Sequence, residues 1–321
     1  MADTVNDRPL LTAARPALRR AVDYLSSSQL SDGEFPIYLS SDRSLASDLR
    51  IDSTCFATTF VLYALSSVSD PDVTVLKARA FRFLRAEQDE QGTCRYATRR
   101  NPARARLYPD LDDTACVSWI LRQAGRRFTP NEHILRNNRT EEGLFKTWVR
   151  PAGLENDVDT VVNANVILYL GEDGDTSAAR RHLHDAITAH REHETFWYYE
   201  DVAALYYMVS RAALHSAPSL RDLSPILIER VSERLDQAIC GSNPLAVALG
   251  VCTLLNCGQR HEAGLRKALQ ALLDSQDQSG FWPRIPFYTG SLPGRRREFW
   301  FGSEALTTAF CVQALAQFQP V

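Results

Sequence analysis

The chain has 321 residues, 45% of them hydrophobic and 23% charged, with a formal net charge of −3. That balance belongs to a globular protein with a substantial core, and it gives no reason to expect nucleic acid or an acidic surface as partner. Seven cysteines without a CxxC pair argue against a disulfide framework and for a reducing compartment.

The opening "MADTVNDRPLLTAARPALRR" carries no apolar signal-type run, and no later stretch approaches a membrane span. A cytoplasmic protein is expected, and contact with a membrane surface stays open.

Taken in order, the chain reads as two kinds of helix. "ALRRAVDYLSS", "VLKARAFRFLRAEQ" and "GLRKALQALLDSQ" place apolar residues at i, i+3, i+4 and i+7 with Arg, Lys and Glu between them, the pattern of a helix with one wet face. Six other segments are apolar nearly all round: "STCFATTFVLYAL", "TACVSWILRQA", "TVVNANVILYL", "VAALYYMV", "PLAVALGVCTLL" and "ALTTAFCVQAL". Helices of that kind are buried between others. Each opens on a capping residue: Asp52-Ser53, Asp113-Thr114, Asp159-Thr160, Asp201, Ser242-Asn243 and Ser303-Glu304.

The runs recur at intervals of roughly 40 to 60 residues, each holding one wet helix and a loop, which is a helical-repeat period. Six inner helices alternating with six outer ones predict an all-α fold, a closed (α/α)6 barrel over residues 1–321 as a single domain. An open solenoid is the alternative.

Three loops share a further pattern. "QLSDGEF" (Gln29 to Phe35), "QDEQGTC" (Gln88 to Cys94) and "QDQSGFW" (Gln276 to Trp282) read Gln, three residues, Gly, one residue, then usually an aromatic. Glycine permits a tight turn at a helix exit, and the amide can satisfy the turn's backbone. On its own this is a structural fastener.

The most unusual stretch is "YPDLDDTACVSW", which puts Asp110, Asp112 and Asp113 at the head of an apolar helix. Like charges so close make one another harder to ionise, so the cluster either binds a cation or keeps a proton. Aromatic residues crowd the heads of other inner helices, in "TFWYYED", "GFWPRIPFY" and "EFWFG". Asn163 and Asn165 interrupt an otherwise apolar inner helix, where a buried amide needs a partner. Arg295, Arg296 and Arg297 form a basic run, with Arg284 and Lys146 in other loops; such residues are either a solvated face or an anchor for an anion. His182, His184, His190 and His193 lie on or beside a wet helix and read as surface.

The form at Gln276, Gly280 and Trp282 resembles the QW repeat of squalene-hopene and oxidosqualene cyclases, and "DLDD" resembles the Asp-x-Asp-Asp motif of class II terpene cyclases. Family members usually carry two or three helical domains. A chain with room for one is similar to the small single-domain class II meroterpenoid cyclases, which act on prenylated aromatic acids.

The resemblance implies a cyclisation begun by protonating an alkene or epoxide, formally an isomerisation, with Asp112 as proton donor and Asp110 and Asp113 tuning it. The expected substrate is a linear isoprenoid with a polar head. No cofactor is expected, Mg²⁺ entering only if that head is a diphosphate. Trp197, Tyr198, Phe299, Trp300, Trp282, Trp119, Phe60 and Asn163 are the expected substrate-binding residues, because π faces stabilise a migrating cation. Larger relatives support the acid with a histidine, and no histidine here sits near the head of an inner helix.

Other α/α barrels compete. A protein prenyltransferase would hold zinc with a set such as Asp113, Cys116 and His215 or His261. A glycoside hydrolase would pair Asp112 with Asp159, Glu200 or Asp201 at roughly 5–9.5 Å. A class I synthase lacks its third acid at position 116, and a complement-type thioester site is absent.

Overall fold

A computed structural model describes residues 4–66, 68, 70–261, 263–290 and 297–319. The six apolar runs all form helices: α2 (Cys55–Leu65), α4 (Leu111–Gln123), α6 (Thr160–Leu170), α8 (Val202–His215), α10 (Pro244–Asn256) and α12 (Glu304–Phe318). They alternate with α1 (Thr4–Ser28), α3 (Pro71–Glu87), α5 (Glu132–Asn137), α7 (Ser177–Thr188), α9 (Ser224–Cys240) and α11 (Ala263–Asp274). Each apolar helix packs on the next in chain order, and α12 returns to pack on α2. All eleven residues of α2 are buried, as expected of a helix with neighbours on every side. The alternation is uneven at α5, which has only six residues.

All six inner helices are capped by a side chain that accepts a hydrogen bond from a free backbone N–H, an arrangement worth about 0.5–2 kcal/mol each. Asp159, Asp201, Asn243 and Ser303 serve where expected. The cap of α2 is Thr54, just past Asp52-Ser53, and that of α4 is Asp110. Asp112 and Asp113 therefore stand inside the first turn of α4, where the helix dipole favours their anions.

The Gln-x3-Gly loops tie outer helices together. Gln276 Nε2 donates to Gly280 O and to Ala17 O of α1, both at 2.9 Å, while Gln29 Nε2 bridges Gly33 O and Leu76 O of α3. Gly280 has φ +93°, and a Cβ there would lie 2.2 Å from Arg20 O. Only glycine lets the loop approach α1 so closely. Trp282 is fully buried, and its indole donates to Leu272 O of α11 at 2.8 Å.

The fold is not all-α. Strands β1 (Ile37–Ser40), β2 (Arg50–Asp52), β3 (Tyr288–Gly290) and β4 (Phe299–Gly302) form an antiparallel sheet in the order β2-β1-β4-β3. They lie in the loops leading into α2 and α12, which are neighbours, so pairing Tyr38 with Gly302 joins two adjacent loops. Strands of three or four residues are too short to show an alternating pattern in the sequence. Isolated bridges continue around the same end: Thr54 with Ala97, Cys94 with Asp110, Asp110 with Trp148, and Tyr199 with Tyr288. Among the described residues no helix is long and apolar enough to cross a membrane.

Candidate active site

The acidic turn of α4 is held from three directions. Asp110 Oδ1 accepts from Asp113 N at 2.7 Å, and its Oδ2 accepts from Tyr96 N at 3.1 Å. The carboxyl groups of Asp110 and Asp113 also act on each other's ionisation. Burial pushes Asp110 up to about 7, its backbone hydrogen bonds pulling down and the charge of Asp112 pushing up. Asp113 lies well above the carboxylate range, first through burial and then through Asp110 and Asp112. Two buried carboxyls in contact cannot both ionise cheaply, so this pair retains a proton.

Asp112 points elsewhere. Its Oδ1 accepts from Asn165 Nδ2 at 2.7 Å and its Oδ2 from Tyr199 OH at 2.6 Å. It is 8% exposed, against 4% for Asp110 and 3% for Asp113, which makes it the most accessible of the three. Burial raises its pKa, while Tyr199, Asn165 and the charge of Arg211 pull the other way. The opposition suits an acid that must hold its proton and then release it. Burial favours the neutral form, and two donors stand ready to stabilise the anion.

All three aspartates line one cavity of about 330 Å³. Its other walls are mostly aromatic: Phe56, Tyr96, Trp148, Tyr198, Tyr199, Tyr288, Phe299 and Phe301. The sheet supplies a stacked pair, Tyr288 on Phe301 at 4.7 Å between centroids, and Phe56 meets Tyr288 edge-on at 5.0 Å. Each π face can stabilise a desolvated cation by roughly 0.5–2 kcal/mol. Phe60 and Trp119 lie deeper between the inner helices, Phe60 against Phe56 and Phe287, Trp119 against Tyr63.

Of the residues singled out in the sequence, Asp110, Asp112, Asp113, Tyr198 and Phe299 share this cavity, and the others do not line it. Trp197 faces a separate cavity with His193 and Arg297, and its backbone N–H donates to Asp159 Oδ2 at 2.6 Å. The Trp300 indole donates to Glu200 at 3.2 Å. Trp282 acts at the α11 seam. Asn163 is consumed by backbone: its Oδ1 accepts from Phe145 N, and its Nδ2 donates to Phe145 O and Asp159 O. Two residues apart on a helix means about 200° around its axis, so only one of Asn163 and Asn165 can face the acid. That residue is Asn165.

Tyr199 is the Asp112 contact the sequence reading passed over, in favour of its neighbours Trp197 and Tyr198. The run "WYY" marks the loop without telling which ring turns inward. The bridge of Tyr199 to Tyr288 and the bond from Thr289 N to Tyr198 O settle it by pairing this loop with β3.

The basic run is only partly seen: Arg295 and Arg296 lie outside the described residues, and Arg297 stands 3.9 Å from Glu200. Arg284 pairs with Glu304 at 2.6 Å. The competing carboxylates are engaged. Asp159 accepts from four backbone N–H groups, Glu200 pairs with Arg43, and Asp201 caps α8. Among the described residues no three His, Cys, Asp or Glu side chains are grouped to hold a metal ion.

No family model matches the sequence, and no curated protein does. Solved structures do resemble the fold. The type II terpene cyclase MstE from Scytonema, as a variant in complex with geranylgeranyl dihydroxybenzoate (substrate), is 14% identical with a TM-score of 0.69, over 97% of this chain and 99% of that one. A second variant, in complex with merosterolic acid A (product), is 15% identical with a TM-score of 0.65, over 97% and 98%. A protein from Actinoplanes is 15% identical with a TM-score of 0.68, over 95% and 99%. The structural neighbours of this chain include type II terpene cyclases, and at these identities the likeness is one of fold.

Proposed function

We propose that the chain is a single-domain (α/α)6 barrel acting as a class II cyclase on a linear polyprenyl substrate with a polar head, a prenylated aromatic acid. Asp112 transfers its proton to the terminal alkene, or to an epoxide in its place. The π electrons of that alkene form the new C–H bond and leave a tertiary cation, which the next alkene attacks to close a ring. Loss of a proton at the end regenerates an alkene, so the net change is an isomerisation. With such a head group no metal is needed.

The observation that carries this reading is Asp112 itself: a buried carboxyl, raised in pKa, held by two donors and opening on a cavity with aromatic walls. General-acid catalysis supplies on the order of 10²–10⁴-fold, and the aromatic walls are suited to stabilising the cation that follows. Asn165 and Tyr199 hydrogen-bond the acid, a kind of support that larger class II cyclases take from a histidine. The fold of MstE, whose structures hold geranylgeranyl dihydroxybenzoate and merosterolic acid A, adds support.

The test is incubation with farnesyl and geranylgeranyl compounds carrying dihydroxybenzoate, hydroxyl or diphosphate heads, with and without EDTA. A cyclic product from the dihydroxybenzoate, unaffected by chelation and lost in Asp112→Asn with the helical far-UV spectrum intact, is expected. Normal turnover by Asp112→Asn would sink the assignment. A product from the diphosphate alone, lost on chelation, would move the protein to a diphosphate-dependent class.

A further inference from the structure

Below the cavity, the inner helices hold a polar layer that reaches Asp112 only through the charge of Arg211. Arg211, in the third turn of α8, is 1% exposed. Its own helix packs on α6 and α10, whereas Phe60 and Tyr63 belong to α2 across the ring. The guanidinium nevertheless lies over Tyr63 at 4.0 Å, over Trp119 of α4 at 5.1 Å and over Phe60 at 5.3 Å. The arginine side chain therefore crosses the space that the six helices enclose.

Its neighbours on α8 cross it too. Tyr207 OH donates to Gln313 Oε1 of α12 at 2.9 Å, and His215 Nε2 stands 3.0 Å from the Tyr63 hydroxyl.

We propose that this layer is the floor of the substrate lumen and that Arg211 sets the accepted chain length, closing the lumen to the longer prenyl chains. The inference rests on the cyclase reading above.

Two arguments support it. The rings between the cavity and the floor, Phe287 and Phe310, meet at 5.2 Å between centroids and are held by packing alone, so a prenyl chain has only packing to displace there. The floor is bolted by hydrogen bonds and by cation–π contacts from opposite sides, and it does not yield in the same way.

The second argument is chemical. Among the described residues no carboxylate pairs with Arg211; its Nη1 meets only Met208 Sδ at 3.6 Å, and its Nε has no partner. The Trp119 indole N–H and the Gln313 amide nitrogen are likewise without partners. An apolar side chain would fill the same space at lower cost. A fixed positive charge does what an apolar plug cannot: it repels a carbocation, holding ring closure among the aromatic walls above.

The experiment reads binding in the Asp112→Asn background, where turnover cannot interfere, by titrating tryptophan emission with farnesyl and geranylgeranyl dihydroxybenzoate. The farnesyl compound is expected to bind about tenfold tighter or more, the low end of the roughly 10- to 200-fold that a single methylene commands in an apolar pocket. Adding Arg211→Ala should reverse that ratio, Arg211→Gln should shift it the same way by less, and Arg211→Met, of similar length, should leave it. Because the readout is a ratio within one variant, a general loss of stability cancels, and Arg211→Gln carries the test if Arg211→Ala does not fold. Equal or tighter binding of the geranylgeranyl compound before substitution, an unchanged ratio after shortening, or binding of neither compound overturns the proposal. Cyclisation by the protein with Asp112 intact is followed in parallel. Chain-length preference without turnover would defeat the cyclase reading and leave the floor standing, whereas turnover without preference would do the reverse.

Discussion

Tyr199→Phe removes one hydroxyl at the acid, with its short bond to Asp112 and a longer one, 3.5 Å, that it accepts from Asn165 Nδ2. The ring stays, with its contacts to Phe56 at 5.9 Å and Phe287 at 5.5 Å, and only the hydroxyl that donates to Asp112 Oδ2 at 2.6 Å is removed. A hydrogen bond to a charged group contributes roughly 1.5–3 kcal/mol. Most of that is realised after the proton has left, because the neutral carboxyl gains less from a donor than the anion does. The variant should therefore lose about 10- to 100-fold in kcat, with Asn165 still holding Oδ1.

The pH profile supplies a second, independent sign. Tyr199 opposes the rise that burial imposes on Asp112, so its removal lifts the pKa further. On the proposed mechanism, activity requires the protonated acid. The alkaline limb should then move to higher pH even as the plateau falls, a combination that mere loosening of the loop would not produce. Steady-state rates across pH, with product identified by mass spectrometry, decide the matter. An unchanged plateau, or a limb moving to lower pH, refutes the role given to the hydroxyl.

Further outcomes follow from the same geometry. Asn165→Ala should lower turnover while barely changing stability, whereas Asn163→Ala, which strips three bonds from Phe145 and Asp159 backbone, should cost about 1–3 kcal/mol in denaturant unfolding. Trp282→Phe should lose about 1 kcal/mol through the bond to Leu272 O and leave product identity unchanged; an altered product would return Trp282 to the substrate. Stability should fall as pH rises from about 4 towards 7. Burial holds Asp159 up at about 7, above its unfolded value, so the native state binds more protons across that window and loses on the order of a few kcal/mol as they leave. Thermal unfolding at several pH values checks this, and the slope should flatten in Asp159→Asn.

The inner helices were legible because burial on every face leaves a run of apolar residues that no wet helix could tolerate. Their caps were nearly legible, since capping needs a particular side chain at a particular place, and the misses at α2 and α4 were shifts along the chain. At α4 the shift mattered: it put Asp110 in the cap and left Asp112 inside the first turn. What could not be read was the direction of single rings. Trp197, Tyr198 and Tyr199 are adjacent, and which one meets Asp112 is decided by pairing with a strand nearly ninety residues later. The sheet was hidden for the same reason, because strands of three or four residues are defined by their partners rather than by their own pattern. Arg211 was invisible as well. In the sequence it is one cation near the end of a helix, and only the crossing of the ring makes it unusual.

The contact of α12 with α2, and the bond of Gln276 to Ala17 on α1, have a consequence for how the chain is made. During synthesis the acidic turn leaves the ribosome long before the segment that seals the ring, so half-made molecules present greasy, unmated helices to their surroundings for seconds. Proximity in sequence cannot rescue them, because the closing partners are the most distant in the molecule. Nascent chains of this protein should therefore lean on chaperones until the last helix emerges, and point changes at the seam should show first as poor yield of folded protein rather than as altered chemistry.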